Sequence, residues 1–555
     1  MAMKVADALI NAGFAGLVAL FLSGGPVHQG DQAHRGLRLL FSQWYPYLAL
    51  FLALLAARRL LDRGTFARIG AIRLLGAMAH QSSARGFVYA LTAVWAVLLF
   101  AVSARRHWAF ESRGDLALYE QSLWLAAHGE LPRWSLYNGL SMFAFHFDPL
   151  HLALTPLYLV APSPLILLAV QAGMIALGAV PLYWIARERL PSRPVLWGIF
   201  PAAYLAYAPL RAANRFDYHP GALVPALFLF ALYMMERRRW TSMILLLTLA
   251  GLLKENMPAA GVSVGVFLVF TRRQVWLGIA LCVAFALWFY AGITWIIPAF
   301  NPSGYQFFTN YAGLGNSLPD LLTGLLVSPG RVLEYLLVRP GWKLGYLLGV
   351  FGPVAFLPLL SPSTLWLGAP FLAQHLLATT RAQISLQTHN TAEVVAFVFF
   401  ASVVGASRLL SGQLPVARWL RRWNRDQLAR TLAALLWAAT LLFHGWSEAS
   451  HLRRYQPTLR SRALTTAVHL IPAGASVAAP DRVVPHLAQR SRLYWFPTEA
   501  PPGADFVVAD PERATTNELT LLDRTVAMFP ARGYRPVFEQ GPIRVWKRGP
   551  PLGAR

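Results

Sequence analysis

Acids, imidazoles and amines suited to proton and phosphate chemistry recur at a few places in this chain, each between apolar runs. They are Asp115, Glu120 and Gln121, then His146, Asp148 and His151, then Arg215, Asp217 and His219, then Lys254 and Glu255, and last His389. A carboxylate beside imidazoles and a second acid is equipped for general-base catalysis, or for holding a divalent cation such as Mg or Mn. Asp115, His146 and Asp148 are therefore the expected catalytic set, with Asp115 and Asp148 the pair that would share a cation. Arg215 and Lys254 supply charge-assisted donors suited to a phosphate. Glu120, Gln121, His151, Asp217, His219, Glu255 and His389 are expected to bind substrate around them. Each group also has a plainer reading, as solvated loop charge or, for Lys254 and Glu255, as a pair of chain neighbours that neutralise each other.

Such residues need elements that carry them to one place, and the composition says which kind. The chain has 555 residues, 56% hydrophobic and 13% charged, with a mean hydropathy of +0.45. That is too apolar for a soluble globular protein and fits a polytopic α-helical membrane protein. The net charge of +24 does not mark a nucleic-acid binder, because the arginines fall between apolar segments and form no continuous stripe or known nucleic-acid motif. Their placement suits the rule that basic connections stay inside. The single cysteine, Cys282, excludes an intramolecular disulfide. No zinc spacing, phosphate-cradling glycine loop, dinucleotide fingerprint or serine elbow stands in a convincing context.

A span needs about 20 apolar residues. The run Ala6 to Ser23 reads as a retained helix in preference to a cleaved leader, and Leu39 to Ala57 as a second. The arginines from Arg58 to Arg85 then mark an inside connection and fix the register downstream. Gly86 to Ser103 runs outward and delivers a polar exterior loop over 105–147, and Pro149 to Ala161, too short to span, lies along the interface. Alternation continues through Leu165 to Ala186, Val195 to Leu210, Gly221 to Met235, Trp240 to Leu253, Ala259 to Phe270 and Val275 to Ile297. A second large exterior loop, 299–340, carries short amphipathic pieces at Leu318 to Leu326 and Val332 to Val338. Leu344 to Leu360, Leu365 to Ala378, Ala392 to Leu409 and Thr431 to His444 complete about thirteen spans. The amino end is then inside and the carboxyl end outside, in the cell (inner) membrane. All the polar clusters named above fall at outer ends of these segments. Residues 1–85 form two extra helices with a basic connection, 86–446 the transmembrane core, and 447–555 a small exterior α/β domain. In that tail Ala475 to Ala479, Asp505 to Val508 and Pro542 to Lys547 read as strands and Thr516 to Phe529 as a helix.

Several spaced motifs carry a resemblance. They are Gly114-Asp-Leu-Ala-Leu-Tyr-Glu-Gln-Ser-Leu-Trp124, Phe145-His-Phe-Asp-Pro-Leu-His151, His219-Pro220, Leu253-Lys-Glu255, Leu357-Pro-Leu-Leu-Ser-Pro362, Ala475-Ser-Val-Ala-Ala479, Pro485-His-Leu-Ala-Gln-Arg490 and Tyr494-Trp-Phe-Pro497. In this order they resemble a prokaryotic membrane family, domain of unknown function 2079, over about Gly86 to Val508. That family is grouped by resemblance with the C-type (GT-C) glycosyltransferases. The resemblance implies a GT-C-like fold, a polyprenyl-phosphate-sugar donor, and Asp115 in the place of the acid in the first exterior loop. The sequence departs from the adjacent acid pair many of those enzymes show, since Glu111 stands four positions before Asp115.

The expected function is thus an integral membrane glycosyltransferase taking a sugar from a lipid-linked donor in the membrane to an acceptor on the exterior face. Two other classes use the same residues. One is a non-catalytic membrane subunit that keeps the fold and offers its C-terminal domain to a protein partner. The other is a transporter with Lys254, Glu255 and Asp217 as an ion relay.

Overall fold

The computed structural model describes residues 81–414, 424–444, 447–499 and 503–549. The first two expected spans, most of the basic connection after them and the basic stretch at Arg418, Arg421 and Arg422 lie outside the described residues.

Four helices among the described residues are long and apolar enough to cross a membrane: Ala84–Trp108, Pro164–Arg189, Val275–Phe300 and His389–Leu410. They match the segments expected at those places to within a turn or so. Pro220–Glu236, Trp240–Gly251 and Pro258–Arg272 are shorter apolar helices. Pro258–Arg272 and the helix Val275–Ala291 touch backbone to backbone, because a Cβ on Gly265 would stand 2.6 Å from the Gly278 carbonyl oxygen, and the reverse holds for Gly278. Small residues permit this approach where lipid gives no hydrophobic drive to associate.

Three expected spans are broken. Val195 to Leu210 is a helix over Pro194–Leu205, interrupted at Ala206 and Tyr207 before the separate helix Ala208–Phe216. Leu344 to Leu360 is a helix only over Pro340–Phe351 and then turns through Gly352 and Pro353, with Ala355 and Phe356 in left-handed conformation. Leu365 to Ala378 resolves into short turns and the helix Ala369–Leu377. Proline lacks the amide and clashes with the preceding turn, so apolar length alone overstates continuity here.

The ends assigned to the inside do meet. Glu236 forms ion pairs with Arg189 and with Arg272, and Arg237 pairs with Glu188 at 3.0 Å. Three helix termini distant in sequence therefore share one face, as alternating spans require.

Between Ala84–Trp108 and Pro164–Arg189 the chain forms the helix Gly114–Ala127 and a two-stranded ribbon of β1 (Arg133–Trp134) and β2 (Leu140–Ser141). A 3-10 turn, Pro149–Leu154, then leads into the helix Thr155–Val160. Within the second large loop stand the helices Leu318–Val327 and Pro329–Leu337, close to the amphipathic pieces expected.

The tail folds as a five-stranded sheet of β3 (Val477–Ala479), β4 (Leu493–Trp495), β5 (Phe506–Ala509), β6 (Tyr534–Gln540) and β7 (Ile543–Arg548), in the order β4-β3-β5-β7-β6. β3 runs parallel to β4 and β5, while β7 is antiparallel to β5 and β6. Its helix Thr516–Ala527 begins with a capping box of Thr515 and Glu518, which satisfies two first-turn amides reciprocally. β4 and β6 were not expected from the sequence. β4 spans three residues, and β6 is exposed at five of its seven positions, so neither shows a buried alternating pattern.

Candidate functional site

Asp115 stands in the first turn of Gly114–Ala127. Positions three and four residues on, Leu118 and Tyr119, line the same cavity, as the helical repeat requires. This cavity, of about 660 Å³, is also lined by His146, His219, Lys254, Glu255 and His389. Six of the expected residues, from five stretches of chain, thus face one space.

Their contacts form three groups. Asp115 Oδ2 lies 3.5 Å from His219 Nε2, and the His219 ring stacks on His389 with centroids 3.6 Å apart and planes 9° apart. His146 Nδ1 lies 3.1 Å from both oxygens of Glu255, and the Tyr305 hydroxyl donates to Glu255 Oε1 at 2.9 Å. The Lys254 ammonium donates to Glu393 Oε1 at 2.8 Å, and Asn256 Nδ2 donates to Glu393 Oε2 at 2.8 Å.

Electrostatics set the two carboxyls apart from the His219 ring. Burial pushes the Asp115 carboxyl up, but its contact with His219, joined by His146 and Arg113, outweighs this and leaves it below the usual carboxylate value. Its side chain is still 39% exposed, toward the cavity, so it can meet a ligand while ionised. Burial also opposes the charge on Glu255, yet His146 and Lys254 hold that carboxyl at about 2. Burial, against the pull of Asp115, lowers His219 and favours its neutral imidazole.

The remaining expected residues lie off the cavity wall. Asp148 is buried at 1% exposure, and neither carboxylate oxygen has a hydrogen-bond partner among the described residues. Burial and the nearby Glu255 charge push its carboxyl well above the usual range, which favours the protonated form. It does not face the cavity with Asp115. Among the described residues, no group of three or more His, Cys, Asp or Glu is arranged to hold a metal ion. Asp115 and Asp148, expected to share a divalent cation, do not meet in the cavity lining.

His151 is buried between the Tyr119 carbonyl, at 3.0 Å, and the Tyr218 hydroxyl, at 3.2 Å. Glu120 and Gln121 follow Asp115 by five and six residues and so point away from its face. Glu120 accepts from Tyr158 and from Gln489, each at 3.0 Å. Gln121 donates to Ser135 Oγ at 2.7 Å and to the Arg490 carbonyl at 2.8 Å. Arg215 stands in the last turn of the helix Ala208–Phe216, outside the cavity lining, so Lys254 is the cation that faces the cavity among the described residues.

Asp217 also lies outside the lining and forms a buried ion pair with Arg106, while its Oδ2 accepts from the Arg113 amide at 3.0 Å. Its backbone takes φ +137°, a conformation costly for a side-chain-bearing residue unless surroundings impose it. Here Gln171 donates to the Asp217 carbonyl at 2.9 Å and accepts from the His219 amide at 2.8 Å. Asp217 thus orients Asp115's helix through the Arg113 amide, while Gln171 holds the backbone at both Asp217 and His219.

Sequence reasoning left Glu393 and Asn256 out of the expected site. The signal for Glu393 was present, as a carboxylate in the first turn of a long apolar span, four residues after His389. Phe289, Ile293, Leu318, Leu321, Leu322 and Leu325 supply part of the apolar cavity wall. Ile293 belongs to a single π-helical turn, Gly292–Ile296, inside the Val275–Phe300 span.

Two solved structures are similar in outline. ArnT from Cupriavidus metallidurans bound to undecaprenyl phosphate shares 14% identity over 84% of this chain and 99% of that chain, with TM-score 0.48. The apo state of ArnT from that organism gives 14% identity over 84% and 100%, with TM-score 0.49. No curated protein shows significant similarity to this chain. The family model described as "Predicted membrane protein (DUF2079)" matches residues 106–526, and this multi-pass chain belongs to that family.

Proposed function

We propose that this protein is a GT-C-type glycosyltransferase that moves a sugar from a polyprenyl-phosphate carrier to an acceptor hydroxyl at the exterior face of the membrane. The observation that carries the reading is the Asp115 and His219 pair, facing a cavity whose wall joins Lys254 to the leucines of Leu318–Val327. A lipid phosphate needs both an apolar lining and a cation, and this cavity has both.

The roles follow from the contacts. Asp115, ionised and reachable, accepts the proton of the acceptor hydroxyl as that oxygen attacks the anomeric carbon. The bond from the anomeric carbon to the phosphate oxygen breaks, and the electron pair leaves with the lipid phosphate. Lys254 has three N–H groups and gives one to Glu393, so the others are available to the departing phosphate. Neutral His219 holds the Asp115 carboxylate in place, and Glu255 orients His146. No step is assigned to Asp148 or to a metal ion.

The test is to incubate the purified protein in lipid with a panel of polyprenyl-phosphate sugars and follow release of the lipid phosphate. Release with at least one donor supports the reading. Tight donor binding with no release under any acceptor would point to a non-catalytic subunit.

A further inference from the structure

The helix that carries Asp115 does not cap itself. Arg113, its N-cap residue, makes no side-chain capping bond, although the first amides of any helix lack partners within it. Two carboxylates from remote chain supply them. Asp217 takes the Arg113 amide, and Asp481, in the turn after β3, takes the Gly114 amide at 2.9 Å. Asp481 Oδ2 also lies 3.8 Å from Arg113 Nε.

The same domain grips the helix further along. The Trp495 ring of β4 packs so closely on Gly114 that a Cβ there would stand 2.2 Å from Trp495 Cη2. A turn and a half later, Gln489 donates to Glu120 and the Arg490 carbonyl accepts from Gln121. The Leu493 amide closes the set by donating to Ser135 Oγ at 2.9 Å, the same hydroxyl that Gln121 holds.

We propose that the C-terminal sheet domain acts in cis as a clamp on the helix of the base, with Asp481 as the positioning residue that fixes where Asp115 enters the cavity. This rests on Asp115 being the base, as proposed above. Asp481 acts through the Gly114 amide, one residue from Asp115, and does not line the cavity. A carboxylate at a helix N-terminus also suits the partial positive charge there. The acceptor oxygen is the essential feature, so Asn should replace Asp481 and Ala should not.

The experiment compares the full chain in lipid nanodiscs with Asp481→Ala and Asp481→Asn, by two readouts. In Asp481→Ala, hydrogen exchange of the amides from Gly114 to Leu118 is expected to rise about tenfold. kcat for sugar release should fall about 10- to 10²-fold, with KM for the lipid-phosphate sugar unchanged. Asp481→Asn should restore most of both. Unchanged exchange in Asp481→Ala, an Asn variant as defective as Ala, or a raised KM at constant kcat would overturn the clamp. Exchange that responds as expected in a protein that releases no lipid phosphate would reject the transferase reading and leave the clamp standing.

Discussion

Lys254 and Glu255, neighbours in sequence, each make their direct contact elsewhere: Lys254 with Glu393 at 2.8 Å and Glu255 with His146 at 3.1 Å. Two adjacent residues thereby reach two separate partners, one in the His389–Leu410 span and one in the first polar loop. A self-paired turn would leave the buried Glu393 without its ion-pair partner.

Breaking the Lys254 and Glu393 pair from one side should be costly. Lys254→Met leaves Glu393, whose side chain is fully buried, with an uncompensated charge. A loss of about 3 kcal/mol is expected in thermal unfolding, with most of it recovered in Lys254→Met/Glu393→Leu. The double variant should regain stability without regaining sugar release, because the cation facing the phosphate stays absent.

The His219 ring should control the ionisation of Asp115. With His219→Phe, the main group that lowers the Asp115 carboxyl is gone, and burial, which raises it, prevails. A general base works only when ionised, so the acid limb of the rate profile should move to higher pH. Rates measured from pH 4 to 8 check this, and an unmoved acid limb would count against the pairing.

Glu120 should make stability fall as pH rises. Burial, opposed by Gln489 and Tyr158, lifts its carboxyl to about 8 from 4.5. Between those values the unfolded chain has lost the proton and the folded chain keeps it, so stability declines with rising pH by up to about 1.4 kcal/mol per unit. Glu120→Gln should flatten that dependence, with the largest gain near pH 8 and little change near pH 4, measured by thermal melts across the range.

Close helix contact at Gly265 should not tolerate a side chain. Gly265→Leu would drive its Cβ into the Gly278 carbonyl and the Cys282 sulfur, each 2.6 Å away. Backbone cannot give way as a flexible side chain can, so the helices must part. A loss of about 1 to 3 kcal/mol is expected, read as a lowered melting temperature.

Much of the site could be read from the sequence because the signal was one of side. Polar clusters at alternate ends of apolar runs named Asp115, His146, His219, Lys254, Glu255 and His389 together, and all six line the cavity. What could not be read was direction within a local element. Glu120 and Gln121 share Asp115's helix but face the C-terminal domain, and Asp148, two residues from His146, turns into the protein. Pairings over hundreds of residues, such as Asp481 with Gly114, leave no local pattern at all. The same limit explains the broken segments near Gly352 and Trp366, whose composition is apolar enough to span but whose prolines and left-handed residues end the helix.

Release of lipid phosphate from a polyprenyl-phosphate sugar by the wild type and by Asp115→Asn tests the central claim most directly. The amide keeps the size of the carboxylate and cannot take the proton. Turnover should fall by about 10² to 10⁴, with folding and donor binding retained. Equal turnover in the two proteins would contradict the assignment of Asp115 as the base.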